Sequence, residues 1–159
     1  MGGKKNKLVK LLEQYEKTFC IQNSAIYNED GLVVSIGFNK KYIDEHVLGV
    51  YCVKLMDSIN DVKKNVFELP HGVTKDVIKL LGNGVIPKRS ATLSYISINM
   101  AFEVLDLDTL QNVMQPTLII LLPLREGFVC FIIDNERNFL LIPTVLPRMR
   151  REIEEILFA

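Results

Sequence analysis

Two runs near the end of the chain, Thr117 to Leu124 and Gly127 to Ile133, limit its fold more than any other feature. Both are apolar at almost every position, and only Arg125-Glu126-Gly127 separates them. A strand with one wet face alternates apolar and polar residues, because successive side chains point to opposite faces. Continuous apolar runs therefore predict an antiparallel hairpin covered on both faces, turned at a Gly127 that can take a positive φ. The first run includes Pro123 and is far shorter than the roughly 20 residues that cross a bilayer, so no integral membrane span is expected.

Helical periodicity supplies material for the cover. Leu8, Leu11, Leu12 and Tyr15 recur at i, i+3, i+4 and i+7 among Lys7, Lys10, Glu13, Glu16 and Lys17, which predicts an amphipathic first helix. Ahead of it, residues 1–6 read as a flexible basic tail. Asn6 stands where an N-myristoylation signal places Ser or Thr, and no signal peptide is expected. At the other end Leu146, Met149, Ile153, Ile156 and Leu157 share a helical face opposite Arg148, Arg150, Arg151, Glu152, Glu154 and Glu155. Pro147 fits this terminal helix only inside its first turn, with Thr144 as the candidate cap.

Between these ends, Ala25-Ile26-Tyr27 and Leu32 to Ile36 flank Asn28-Glu29-Asp30-Gly31, a hairpin signal. A second helix is expected from an Asp44 N-cap. Leu48, Cys52, Leu55, Met56, Ile59 and Val62 form one broad arc on it, whereas Val50 and Val53 fall outside, beside Lys54, Asp57, Asp61 and Lys64. One apolar stripe suffices to cover a sheet, so the surplus calls for a second contact, either a neighbouring loop or a partner helix. Glu68 to Ser90 is broken by Pro70, Gly72, Gly82, Gly84 and Pro87 and reads as an excursion, with Thr74 capping a short helix that ends at Gly82. Leu93 to Leu107 is rich in Ile, Val, Phe and Tyr and reads as one long strand or two short ones.

The chain of 159 residues fits one domain, and a composition 48% hydrophobic and 24% charged excludes intrinsic disorder. Its 19 basic residues cancel 19 acidic ones, so no net field draws it to nucleic acid or an anionic membrane; such binding would need a local patch. Cys20, Cys52 and Cys130 form no CxxC pair and read as reduced, buried thiols of a cytoplasmic protein. His46 and His71 lack metal-ligand spacing, and neither a phosphate-binding glycine loop nor a GxSxG elbow occurs. Glu103, Asp106 and Asp108 read as a solvated loop edge. No catalytic residue, metal or cofactor is assigned, and the chain is not read as an enzyme.

The order helix, hairpin, helix, extended segment, hairpin, helix is economically assembled as a central antiparallel sheet with helices against it. With Ser24-Ala25-Ile26-Tyr27-Asn28-Glu29-Asp30-Gly31-Leu32-Val33-Val34-Ser35 after the first helix, and Phe131 to Leu140 leading into Arg-rich helix residues, the chain resembles the roadblock family, named for dynein light chains. The resemblance covers about Leu8 to Gly49 and Thr117 to Leu157. It implies an α+β fold, α-β-β-α-β-β-β-α, with a five-stranded antiparallel sheet flanked by helices in a single domain spanning 1–159, and residues 68–92 as an insertion.

It also implies a non-enzymatic scaffold that forms a homodimer, or a heterodimer with a related roadblock-type subunit, and engages a small Ras-like GTPase or a trafficking or motor assembly. The two second helices would lie side by side on a sheet continuous across the dimer. On these terms Val50, Val53, Lys54, Asp57, Phe102 and Val104 are the candidate dimer interface, and Lys54, Asp61 and Lys64 the candidate partner-binding surface. The alternative is a small-ligand or protein-binding module of the profilin, longin or PAS kind, which needs an enclosed pocket of roughly 300 Å³ or more.

Overall fold

The computed structural model describes residues 2–37, 44–67 and 92–159. The expected short helix from Thr74 to Gly82, and nearly all of the 68–92 insertion, lie outside the described residues.

The elements are α1 (Gly2–Phe19), β1 (Ile21–Tyr27), β2 (Val33–Ile36), α2 (Glu45–Val62), β3 (Ile96–Asp106), β4 (Gln111–Pro123), β5 (Phe128–Ile133) and α3 (Ile142–Leu157). A π-helical turn, Lys63–Phe67, extends α2, and a 3-10 turn, Glu136–Asn138, precedes α3. The strands form one antiparallel sheet in the order β2-β1-β5-β4-β3. The α+β layout expected from the sequence is the one observed.

All six residues of β5 are buried, as its unbroken apolar run requires. Ile26, Ile120, Val129, Phe131 and Ile133 face a core built with Leu8, Leu12 and Tyr15 of α1 and Ile142, Leu146, Met149 and Ile153 of α3. Ala25, Tyr27, Leu121, Cys130 and Ile132 face the other side, where Cys52 of α2 joins them. Polar contacts pin α1 in place. Tyr15 donates its hydroxyl to Glu152 Oε2 of α3 at 2.6 Å, and Ser24 Oγ of β1 donates to Glu16 Oε1 at 2.6 Å. Burial, then the bond to Glu152, pushes the Tyr15 hydroxyl well above its ordinary range, so it stays a donor at physiological pH.

Both hairpin signals are realised. Asn28 Oδ1 accepts from the N–H groups of Asp30 and Leu32, and Gly31 turns the chain at φ +79°. Gly127 turns the β4–β5 hairpin at φ +90°.

Four expectations are corrected. Helix α1 begins at Gly2, so the residues read as a basic tail form its first turns, with Lys4 Nζ donating to the Ala159 carbonyl. Cys20 is exposed: it ends α1 at φ 53°, the left-handed position that turns a helix directly into a strand. Helix α3 begins at Ile142, not at a Thr144 cap. Pro143 takes the first turn, Thr144 Oγ1 donates to the Leu141 carbonyl, and Pro147 lies inside the helix, leaving the Pro143 carbonyl without its usual N–H.

The fourth correction sets up the site. Strand β4 begins at Gln111, six residues ahead of its apolar run, because the Asp106 carboxylate accepts from the N–H groups of Asp108 (2.9 Å) and Thr109 (3.4 Å) and closes a tight β3–β4 turn. Pairing of β4 with β5 starts only at Leu118↔Ile133, whereas β3 pairs with β4 as far as Asp106↔Gln111. Residues 100–106 and 111–117 therefore form a two-stranded ribbon that overhangs the sheet.

Phe131→Ala should cost about 3–5 kcal/mol of stability, since it opens a cavity in the two-helix core. Leu107→Ala, at a residue 79% exposed on the ribbon turn, should change stability by less than about 0.5 kcal/mol. Urea unfolding followed by circular dichroism separates the two.

Candidate functional site

Helix α2 starts as the sequence predicts, with the Asp44 carboxylate accepting from the N–H groups of His46 and Val47 at 3.0 and 3.2 Å. It seats on the β1–β2 turn through two glycines. A Cβ at Gly31 would lie 2.6 Å from the Gly49 carbonyl oxygen, and one at Gly49 would collide with the Gly31 oxygen and the Tyr27 ring. Only residues without side chains allow this approach. The Tyr27 hydroxyl, buried beside it, donates to the Glu45 carbonyl at 2.9 Å, and its ring stacks on Phe128 with centroids 5.1 Å apart.

Beyond this seat the helix is thinly covered. Its buried residues are Glu45, Gly49 and Cys52, with Leu48, Val53, Leu55 and Met56 half-buried against the sheet. The opposite side presents Val47, Val50 and Tyr51, all exposed, followed by Lys54, Asp57 and Asp61. Lys54 Nζ sits 5.1 Å from the centroid of the Tyr51 ring, within range of cation–π attraction.

Strand pairing extends the surface. Residues directly opposite in an antiparallel pair share a face, so Ile98, Met100, Phe102 and Val104 of β3 lie with Ile119, Thr117, Gln115 and Val113 of β4 on the α2 side. An open groove of about 590 Å³ runs there, lined by Leu48, Phe102, Val104, Ile119 and Ile132 with Gln22, Glu103, Gln115 and Thr117.

The sequence-predicted residues are thus spread over one side of the molecule. Phe102 and Val104 share the groove with Leu48. Val50 and Lys54 lie on the outward side of α2. Val53 and Asp57 line a separate hollow of about 350 Å³ with Glu29, Met56 and Arg125. Val53, expected to point away from the sheet, is half-buried on it, because at about 100° per residue it falls at the border of the seated face. Asp61 and Lys64 are exposed at and just past the end of α2. Two exposed residues escaped sequence reasoning: Val47 and Tyr51 continue the outward stripe of Val50 and Lys54 at i, i+3, i+4 and i+7, a spacing already legible there.

No cluster of His, Cys, Asp or Glu able to hold a metal occurs among the described residues, and none of their helices is long and apolar enough to cross a membrane. Cys52 and Cys130 meet under α2. Their hydrogen bond, with burial behind it, pushes the Cys130 thiol well up, while the same bond holds that of Cys52 below the ordinary value. Both lie within the core.

No family model matches the chain, and no curated protein matches its sequence. Among solved structures, Myxococcus xanthus MglB is similar with a TM-score of 0.60 and 12% sequence identity, over 95% of this chain and 94% of that one. A second, described as MglB with tetrameric arrangement, gives a TM-score of 0.49 and 12% identity over 98% and 94%. The first likeness shows that the two chains share an α+β fold.

Gly49→Ala should lower stability by about 1–3 kcal/mol, because backbone at Gly31 must give way. In thiol labelling of the native protein, Cys20 should react at once and Cys52 and Cys130 only on unfolding. Labelling of Cys52 at the rate of Cys20 would contradict the seating of α2.

Proposed function

We propose that the protein is a non-enzymatic scaffold that pairs with a second copy or a related roadblock-type subunit, and that binds or regulates a small Ras-like GTPase or serves in a trafficking or motor complex. The observation that carries this reading is an apolar surface that the described residues leave uncovered. Val47, Val50 and Tyr51 of α2 and Phe102 of β3 are 45–63% exposed on the same side of the sheet. Single exposed apolar residues are commonplace, whereas a contiguous set beside an open groove is a feature of interfaces.

The edge strand adds to the argument. β3 closes one side of the sheet with eleven residues, and its outer backbone groups have no strand beside them among the described residues. Long apolar edges invite pairing with another chain. Pairing there would carry the sheet across a partner and bring the groove and the outward side of α2 against it. Lys54, Asp61 and Lys64 would then stand at the border of the interface, where charge chooses partners more than it adds affinity. The likeness to MglB supports the fold on which this reading rests.

A second reading, a ligand-binding module of the profilin, longin or PAS kind, draws on the groove, whose volume exceeds the roughly 300 Å³ such a site needs but which is open where an enclosed pocket is required. A small molecule retained through purification and seen by native mass spectrometry would favour it.

Val50→Asp should give a folded monomer, since the residue is 47% exposed in the single chain and the charge would be buried unpaired only on association. Val53→Asp should instead lower the stability of the chain itself. Light scattering at micromolar concentration with parallel thermal melts checks both. A monomeric wild type would sink the pairing, and failure to capture any GTPase from a lysate would sink the partner.

A further inference from the structure

We propose that the outward side of α1 is an electrostatic docking surface for an anionic lipid membrane. Lys4, Lys5, Lys7, Lys10 and Lys17 are all exposed on this helix, whereas of its two carboxylates Glu16 is buried and receives the Ser24 hydroxyl, which leaves the half-buried Glu13 as the one carboxylate of α1 beside the lysines. Leu8, Leu12, Tyr15 and Phe19 take the seated side. At about 100° per residue, Lys7, Lys10 and Lys17 fall within one narrow arc opposite it, a row about 15 Å long at 1.5 Å per residue.

The arrangement runs against the needs of the helix. Amide dipoles leave the N-terminus of a helix positive, so acidic residues are favoured in its first turn. α1 has no acidic residue there and carries four lysines in its first nine positions. Nor do neighbours offset the excess: among the described residues none of Lys5, Lys7, Lys10 and Lys17 is within ion-pair distance of a carboxylate. An external anionic surface relieves both the dipole conflict and the mutual repulsion.

The shape and chemistry select the occupant. α1 lies antiparallel beside α3 on one face of the sheet, with Lys4 near Ala159 and Tyr15 near Glu152. The charges are lysines, compact point charges without the planar fork that reads a fixed phosphate or carboxylate pair. No aromatic residue is interleaved among them to stack a base, as single-stranded nucleic acid sites require. A row of point charges spaced along one helix suits a fluid array of headgroups. Because α1 and α2 cover opposite faces of the sheet, docking through α1 leaves the groove and α2 turned toward solvent. Glu152, Glu154 and Glu155 of α3 balance Arg148, Arg150 and Arg151 and confine the excess to α1.

The test is co-sedimentation of the full chain with phosphatidylcholine vesicles, with and without phosphatidylserine, at low and high salt. Binding should need phosphatidylserine and weaken with salt. Each lysine near an anionic surface is worth about a fivefold change, so Lys7→Gln with Lys10→Gln should weaken binding roughly 25-fold. Both residues are exposed, and an unchanged melting temperature confirms the fold. The control, Lys54→Gln with Lys64→Gln on the other face, should bind as the wild type does. No binding to phosphatidylserine vesicles at low salt, equal loss in the control, or capture of polyuridylate RNA in preference to vesicles would each overturn the proposal.

Discussion

The fold depends on a strand that has no wet face. With six consecutive buried residues, β5 must have a strand on each side and a layer above and below. The topology follows: β1 and β4 flank it, α1 and α3 close one face, and α2 lies on the other. The two layers are unequal. The face under two helices gathers sixteen buried residues, while that under α2 gathers seven among the described residues. One helix cannot cover five strands, and the shortfall falls on β3 and the overhanging part of β4. Among the described residues, the uncovered apolar surface thus follows from the layer count and is not an accident of composition.

How α2 is held matters to what it can do. Its contact with its own sheet is strongest at the N-terminal end, where Asp44 caps the helix, Gly49 meets Gly31 and the Tyr27 hydroxyl reaches the Glu45 carbonyl. Farther along, Val53 and Met56 are only half-buried, and the outward side becomes charged at Lys54, Asp57 and Asp61. A helix fixed at one end by backbone-to-backbone contact keeps its direction without spending its apolar side chains. Those side chains remain for another surface.

Much of this was legible in the residues, for physical reasons that differ by element. The β4–β5 hairpin and the β1–β2 turn could be read because Gly127 and Gly31 sit where positive φ is required. α2 could be placed because Asp44 is a strong cap. What escaped notice depended on small local bonds or on the third dimension. The mixed run from Leu107 to Gln115 has no apolar alternation that announces a strand; the Asp106 carboxylate, by closing the turn, lets β4 begin early. Pro147 argues for a short last helix, yet the packing of Ile142 and Leu146 under α1 outweighs one lost hydrogen bond. Val53 was misplaced because a border residue on a helical wheel is decided by what lies beneath it, here the turn at Gly31.

Neutrality, too, looks different once the faces are known. α1 holds five lysines against two glutamates, whereas α2 with its Asp44 cap holds four carboxylates against one lysine before Lys63 and Lys64 follow. The two helices cover opposite faces of one sheet, so among the described residues a basic helix and an acidic one stand on opposite sides of it. A neutral molecule without such separation approaches a charged surface in any orientation, but a separated one is turned before contact. On the docking proposed above, the basic α1 would face the anionic surface and the acidic, apolar-edged α2 would face away from it. The sum of charges removes long-range attraction; their placement would keep orientation, and orientation is what the proposed scaffold would require.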